Sequence, residues 1–420
     1  MKTNNIKNNI LTLFKWLVIY ILVGVIVGSA TSAFLHSLDV VTKFRMDHIW
    51  IVNFLPIAGL GIGLMYYYYG GAANKGNNLL LETYESLENE EAKNVVPLKM
   101  APLVFFSTLL THVAGGSAGR EGTAVQMGGA IADQFTSFFK LNTLERKNIL
   151  IIGISSGFAA VFGTPLAGAI FAIEVLRLKK ITFHQIFASF LVAYIAHYSC
   201  LAWQVKHTIY RVPSIPDITL TSISWSLIAG IIFGLAAFIF TFSNKLFENL
   251  FHKIKYAPLR PFFGGIIIAL FIVITNNTKF IGLGIPSIQD AFLHHAGQFD
   301  FVIKILLTSF TLSAGFKGGE VTPLFFIGAT LGNILICFIP LPMALLAGMG
   351  FVAIFSGATH CVIASIVMGI ELFGVQAGVY VGLASISAYF CSGPNGIYST
   401  QLKQGAKFTV YNYFSRKANN

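Results

Sequence analysis

Glu121 stands out by its neighbours. It lies in Gly119-Arg120-Glu121-Gly122-Thr123, at the head of an otherwise apolar stretch. A carboxylate among glycines in such a segment is costly unless it is paired or employed. A glycine-rich turn that leads into a helix start exposes unpaired backbone N–H groups, and the positive end of the helix dipole then favours an anion. Two further stretches have this form, Gly76-Asn77-Asn78 and Gly318-Gly319-Glu320-Val321-Thr322-Pro323. If the three starts converge, they form a dry cage that holds a small anion by dipoles, without a full fixed positive charge, so that the anion can still leave. Ionised, Glu121 has the sign of that anion and can occupy the cage itself. Protonated, it is released, and passage becomes tied to a proton. The plainer alternative is that Glu121 pairs with Arg120 or caps its helix.

The candidate site follows from these motifs. Glu121 is the gating, proton-coupling residue, and Asn77, Asn78, Gly122, Thr123, Val321 and Thr322 are the anion contacts. Glu320 and Arg120 are candidates for the pathway. The alternatives are a helix N-cap for the asparagine pair and local hydrogen bonding for Glu320 and Thr322.

The elements that must position these residues come in two related sets. Glu121 and Glu320 stand 199 residues apart in similar motifs. Downstream, Gly157-Phe158-Ala159-Ala160-Val161-Phe162 is echoed by Gly350-Phe351-Val352-Ala353-Ile354-Phe355, and each leads to a lone glutamate, Glu174 or Glu371, 197 residues apart. Collinear matches at nearly constant offset indicate an internal repeat. The polar connection Arg211-Val212-Pro213-Ser214-Ile215-Pro216-Asp217 divides the chain into halves, 1–205 and 206–420, with no additional soluble domain expected. Spacing leaves open whether the halves are parallel or inverted. Segments 124–139 and 321–338, preceded by glycines, read as helices that begin partway through a membrane. Glu174 and Glu371 read as partners for buried backbone or for an arginine such as Arg177.

Composition fixes the solvent. With 55% hydrophobic and 11% charged residues and a mean hydropathy of +0.72, the chain belongs in a bilayer as an all-α polytopic membrane protein. About ten to twelve apolar stretches recur, among them 11–35, 49–71, 149–178, 223–242, 262–274, 321–339 and 343–355, several long enough for roughly 30 Å of hydrocarbon. The first reads as a retained helix and not a signal peptide. A net charge of +11 would suggest nucleic acid in a soluble chain, but here the basic residues sit in short connections and nucleic acid is not a partner. Lys2, Lys7 and Lys15, then Arg177, Lys179 and Lys180, then Lys403, Lys407, Arg416 and Lys417 mark a cytoplasmic side that holds both termini. Glu82, Glu85, Glu88, Glu90 and Glu91 read as one face of a short solvated helix. The four cysteines, Cys200, Cys337, Cys361 and Cys391, are scattered singly, as packing residues. No metal or cofactor is expected.

Gly119-Arg120-Glu121-Gly122 resembles the GKEGP-type signature of the CLC chloride channel and transporter family. The stretch from Gly157 through Gly163-Thr164-Pro165-Leu166-Ala167-Gly168 is similar to a second family motif. The resemblance runs from about residue 10 to 415. It implies a homodimer with one anion pore per subunit, an inverted repeat with helices broken near mid-membrane, an external gate at Glu121, and an anion-contacting tyrosine that matches Tyr398. Three departures look like the fluoride-exporting branch: Asn77-Asn78 in the first motif, Thr123 where proline is usual, and Glu320-Val321-Thr322-Pro323 where IFAP is usual. Val175 stands where chloride-type antiporters carry a second glutamate, which fits a gate that carries the proton itself. A bacterial plasma membrane follows from that branch. Fluoride is strongly hydrated, and the carboxamides of Asn77 and Asn78 offer two N–H donors each to replace its water. The rivals are a chloride antiporter or passive chloride channel of the same fold.

Catalysis is the remaining rival, because Gly115-Gly116-Ser117-Ala118-Gly119 formally matches the GxSxG of serine hydrolases. His112 lies too close along the same segment to serve as a base from a separate element. No HExxH or Walker lysine is present, and Gly59-Leu60-Gly61-Ile62-Gly63 has no flanking strand. The chain is therefore not expected to be an enzyme.

Overall fold

Glycine and proline cut the apolar sequence into helices of unequal length. The computed structural model describes residues 2–89, 95–178, 180–405, 407–409 and 411. Glu90, Glu91, Lys179, Arg416 and Lys417 lie outside the described residues, as do the side chains of Lys2 and Lys7. The first half contributes α1 (Lys2–Asp47), α2 (Leu55–Met65), α3 (Asn77–Glu88), α4 (Met100–Val113), α5 (Glu121–Phe138), α6 (Thr143–Phe162), α7 (Pro165–Val175) and α8 (Phe183–Ala202). The second contributes α9 (Leu220–His252), α10 (Leu259–Thr275), α11 (Ile285–Asp290), α12 (Asp300–Ser313), α13 (Val321–Ile334), α14 (Met343–Thr359), α15 (Val362–Phe373) and α16 (Gly378–Cys391). Among the described residues, four stretches are long and apolar enough to cross a membrane, Ile10–Asp47, Ile49–Lys75, Phe183–Ala202 and Leu220–His252, and shorter apolar helices make up much of the rest.

The apolar run 149–178 does not form one span. It breaks at Gly163, whose φ of +76° takes the left-handed conformation that ends α6, and Pro165 then starts α7 at a position where its missing N–H costs nothing. The run 49–71 likewise divides into a 3-10 turn, α2 and a π turn. The acidic helix α3 is not simply solvated: it buries Leu80, Leu81, Tyr84 and Leu87, and Glu82 and Glu88 pair with Lys75 and Lys147 at 2.5 and 2.9 Å. Packing accounts for buried Cys200 and Cys361 but not for Cys337, which is exposed.

Equivalent helices pair in the same way in each half. α5 crosses α6 and α13 crosses α14 at glycines, where the absence of side chains lets backbones touch. A Cβ on Gly328 would sit 2.0 Å from the carbonyl oxygen of Gly350. The Glu174 carboxylate, near the end of α7, accepts hydrogen bonds from the N–H groups of Ile363 (3.1 Å) and Ala364 (2.8 Å) at the start of α15. Glu371, near the end of α15, accepts from Leu166 (2.9 Å) and Ala167 (2.8 Å) at the start of α7. Each helix thus caps the other's N-terminus, which sets the two antiparallel and makes the repeat inverted. Arg177 takes no part in these caps; its Nη2 donates to the carbonyl of His360 at 3.0 Å.

Two outcomes follow from this packing. Gly328→Ala is expected to destabilise the fold by about 3 kcal/mol or more, since the clash is with backbone, and an unchanged thermal midpoint in detergent would show that the helices have room to spare. Glu174→Gln and Glu371→Gln should each lower stability by about 1–3 kcal/mol, because one of two N–H groups then faces an amide donor. Thermal unfolding of both variants checks this, and a loss in only one would contradict the reciprocal caps.

Candidate functional site

The two glycine-rich motifs meet face to face. Gly119 N–H donates to Gly319 O at 2.6 Å and Gly319 N–H returns to Gly119 O at 2.8 Å, a single antiparallel bridge between the halves. The approach tolerates no side chain, for a Cβ on Gly319 would lie 2.7 Å from the nitrogen of Gly122. α5 and α13 therefore start side by side in the protein interior, and their first turns are buried.

Glu121 is 2% exposed and its carboxylate lies on the start of α13, not in its own helix. It accepts from Thr322 N–H at 3.0 Å, Thr322 Oγ1 at 2.5 Å and Arg120 N–H at 3.1 Å, and Arg120 Nε lies 3.7 Å away. Each charge-assisted hydrogen bond contributes about 1.5–3 kcal/mol, and the sum offsets the several kcal/mol that burying an ion costs. The arrangement therefore depends on the negative charge. Once protonated, the carboxyl no longer attracts the helix start, and one oxygen becomes a donor facing other donors.

The remaining candidates divide. Asn77 Nδ2 lies 3.0 Å from the position a Gly122 Cβ would take, and Glu320 Oε2 lies 3.9 Å from it, so Asn77, Gly122 and Glu320 surround one spot beside the gate. Asn77 Oδ1 is buried without a hydrogen-bond partner. Val321 is buried in the first turn of α13. The Thr123 hydroxyl bonds Thr108 Oγ1 at 2.8 Å, and either oxygen can be the donor. The Asn78 side-chain oxygen Oδ1 accepts from Thr400 Oγ1 at 3.0 Å. Neither asparagine caps α3 through its side chain, since Gly76 holds the cap position with φ +56°. Tyr398 is buried against Phe171, at 6.5 Å between ring centroids.

Two vestibules approach this centre from opposite ends of α10. One, of about 880 Å³, is lined by Asn78, Lys317, Glu320 and Tyr398 together with His252 and Arg260. The other, of about 1060 Å³, is lined by Arg45, Arg120, Lys206, Thr208 and Asn276. Glu121 lines neither and stands between them, flanked by Arg120 on one side and Glu320 on the other. Lys317 also borders the first vestibule, with its side-chain nitrogen 4.1 Å from the centre of the Tyr66 ring. Sequence reading also missed Thr400, whose hydroxyl ties the Tyr398 segment to α3; nothing local to Thr400 signals that contact.

The hydrolase reading has no geometry behind it. Ser117 Oγ bonds Thr308 Oγ1 at 2.8 Å, and the two ring nitrogens of His112 face the carbonyl oxygens of Thr108 and Ala118. Among the described residues, no three His, Cys, Asp or Glu side chains cluster as a metal site.

The family model for voltage gated chloride channels matches residues 58–393. A "Chloride/fluoride channel protein" of Pseudomonas syringae pv. tomato is 44% identical over 394 residues, covering 92% of this chain and 86% of that protein. The "H(+)/Cl(-) exchange transporter ClcA" of Vibrio cholerae is 26% identical over 393 residues, covering 86% and 82%. The crystal structure of a CLC-type fluoride/proton antiporter is similar with a TM-score of 0.88 and 32% identity, over 93% of this chain and 98% of that one. A slow cyanobacterial Cl⁻/H⁺ antiporter, at 17% identity and a TM-score of 0.77 over 96% and 99%, shares the fold. With the motif pair, the inverted halves and these matches together, the chain belongs to the voltage gated chloride channel family.

Proposed function

We propose that the protein exports fluoride in exchange for protons, with Glu121 as the protonatable gate. The observation that carries this reading is the position of the Glu121 carboxylate on the start of α13, where it takes the donors that an anion would use. Protonation frees those donors, an anion takes them, and loss of the proton on the far side drives the carboxylate back. Asn77, Asn78, Gly122, Thr123, Val321, Thr322 and Tyr398 line the anion's path in this reading. Glu320 and Arg120 flank it towards the two vestibules. The names of the similar proteins support fluoride as cargo and a proton as counter-ion.

The halves 1–205 and 206–420 act as the two walls of the pathway, and the protein works as a homodimer in a bacterial plasma membrane. Both termini face the cytoplasm. In support, Lys15 of α1 pairs with Glu145 at 3.1 Å, Lys147 pairs with Glu88, and Glu88 borders the same cleft as Thr400, so the two ends of the chain share one side. Proton-coupled export against a gradient is transport and not catalysis, and no residue is assigned a catalytic role.

Reconstituted liposomes test the proposal. With an imposed proton gradient and no fluoride gradient, the wild type should move fluoride uphill. Glu121→Gln, which keeps the shape but takes no proton, should abolish this coupled movement. Absence of uphill fluoride movement in the wild type would remove the antiport reading, and equal fluoride and chloride rates would favour an unselective anion channel.

A further inference from the structure

Lys407 was expected to be one of several solvated basic residues that mark the cytoplasmic end of the chain. It is instead 1% exposed. Its ammonium donates to Ser392 Oγ at 2.8 Å and to His360 Nε2 at 2.9 Å, and lies 4.7 Å from the centre of the Tyr389 ring. No carboxylate pairs with it among the described residues. The next residue, Phe408, is also buried and meets the His360 ring edge-on at 5.6 Å. A lysine at the end of a membrane helix ordinarily extends its head into water. Burying the head without a counter-charge is expensive, so its hydrogen bonds must hold something in place.

What they hold is the segment that carries Tyr398. Ser392 caps the end of α16 and His360 caps the end of α14, in the left-handed conformation at φ +57°. Between Ser392 and Thr400 the chain runs without helix. It is tied to α14 where Ile397 N–H donates to Ala358 O at 2.8 Å. Gly396 lies against the same place: a Cβ there would be 2.8 Å from Ala358 O and 3.4 Å from the His360 ring. On the far side of Tyr398, Thr400 is bonded to Asn78. Lys407 joins the two helix ends on which the near side of this segment rests, and it does so from beyond the segment, closing it into a loop.

We infer that Lys407 is a positioning residue for Tyr398: by bridging Ser392 and His360 it fixes the loop that presents the tyrosine to the anion path. The inference rests on Tyr398 being an anion ligand, as proposed above. Lys407 touches neither the tyrosine nor the anion, so its effect is transmitted through the loop.

Fluoride efflux from liposomes, measured against internal fluoride, tests this in a double-mutant cycle. Lys407→Met keeps the volume and removes the donors; it should raise the half-saturating fluoride concentration about tenfold, the loss of an oriented buried hydrogen-bond network. Ser392→Ala removes one acceptor and should raise it about threefold, and it carries the cycle if Lys407→Met does not yield a monodisperse protein. In a Tyr398→Phe background, itself impaired, each substitution should add less than about twofold. Full additivity in that background, or wild-type behaviour of both single variants, overturns the role of Lys407 and leaves Tyr398 as a ligand. Wild-type behaviour of Tyr398→Phe alone removes the ligand reading and the inference with it.

Discussion

The start of α13 holds one buried negative charge, that of the Glu121 carboxylate. Its donors are the Thr322 N–H and hydroxyl together with the positive end of a buried helix, and Glu121 now fills it. Two anions cannot share such a dry site, because like charges at close range in low dielectric repel by far more than any hydrogen bond returns. In the proposed function, a carboxylate on a short tether is a lid whose closing force is its own charge, and removing that charge with a proton opens the lid.

The rest of the fold makes that pocket possible. A helix start buried at mid-protein leaves orphan N–H groups, which need partners or they destabilise the molecule. The starts of α7 and α15 solve this permanently, with Glu174 and Glu371 fixed on each other's helices. The start of α13 has the Glu121 carboxylate as its partner, which in the proposed function leaves when protonated. The inverted repeat supplies these caps from similar parts: Glu174 and Glu371 cap each other's helices, Glu121 caps the start of α13, and Glu320 stands beside the first vestibule. The glycine bridge between residues 119 and 319 brings the two motifs close enough for one half to cap the other.

Much of this was legible in the sequence where the signal is local or repeated. Glycines around Glu121 and Glu320, their nearly constant offset from Glu174 and Glu371, and the apolar composition gave the all-α membrane fold, its two halves and the buried helix starts. What escaped was set by contacts between residues far apart in the chain. The backbone partners of Glu174 lie 189 and 190 residues away, and the hydroxyl partner of Thr123, Thr108, stands on a different helix, α4. Lys407 has the composition of a solvated tail, and only its placement against His360 and Ser392 reveals otherwise. The break at Gly163 was visible as Gly-Thr-Pro, but an unbroken apolar run concealed it.

Calorimetric titration of purified protein with fluoride at a series of pH values, on the wild type and on Glu121→Gln, tests most directly whether carboxylate and anion compete. If they share the pocket, protonation vacates it. Wild-type affinity should then strengthen as pH falls, while the glutamine variant binds with an affinity independent of pH. A wild-type affinity that does not change with pH, or the same pH dependence in both proteins, would contradict a shared site.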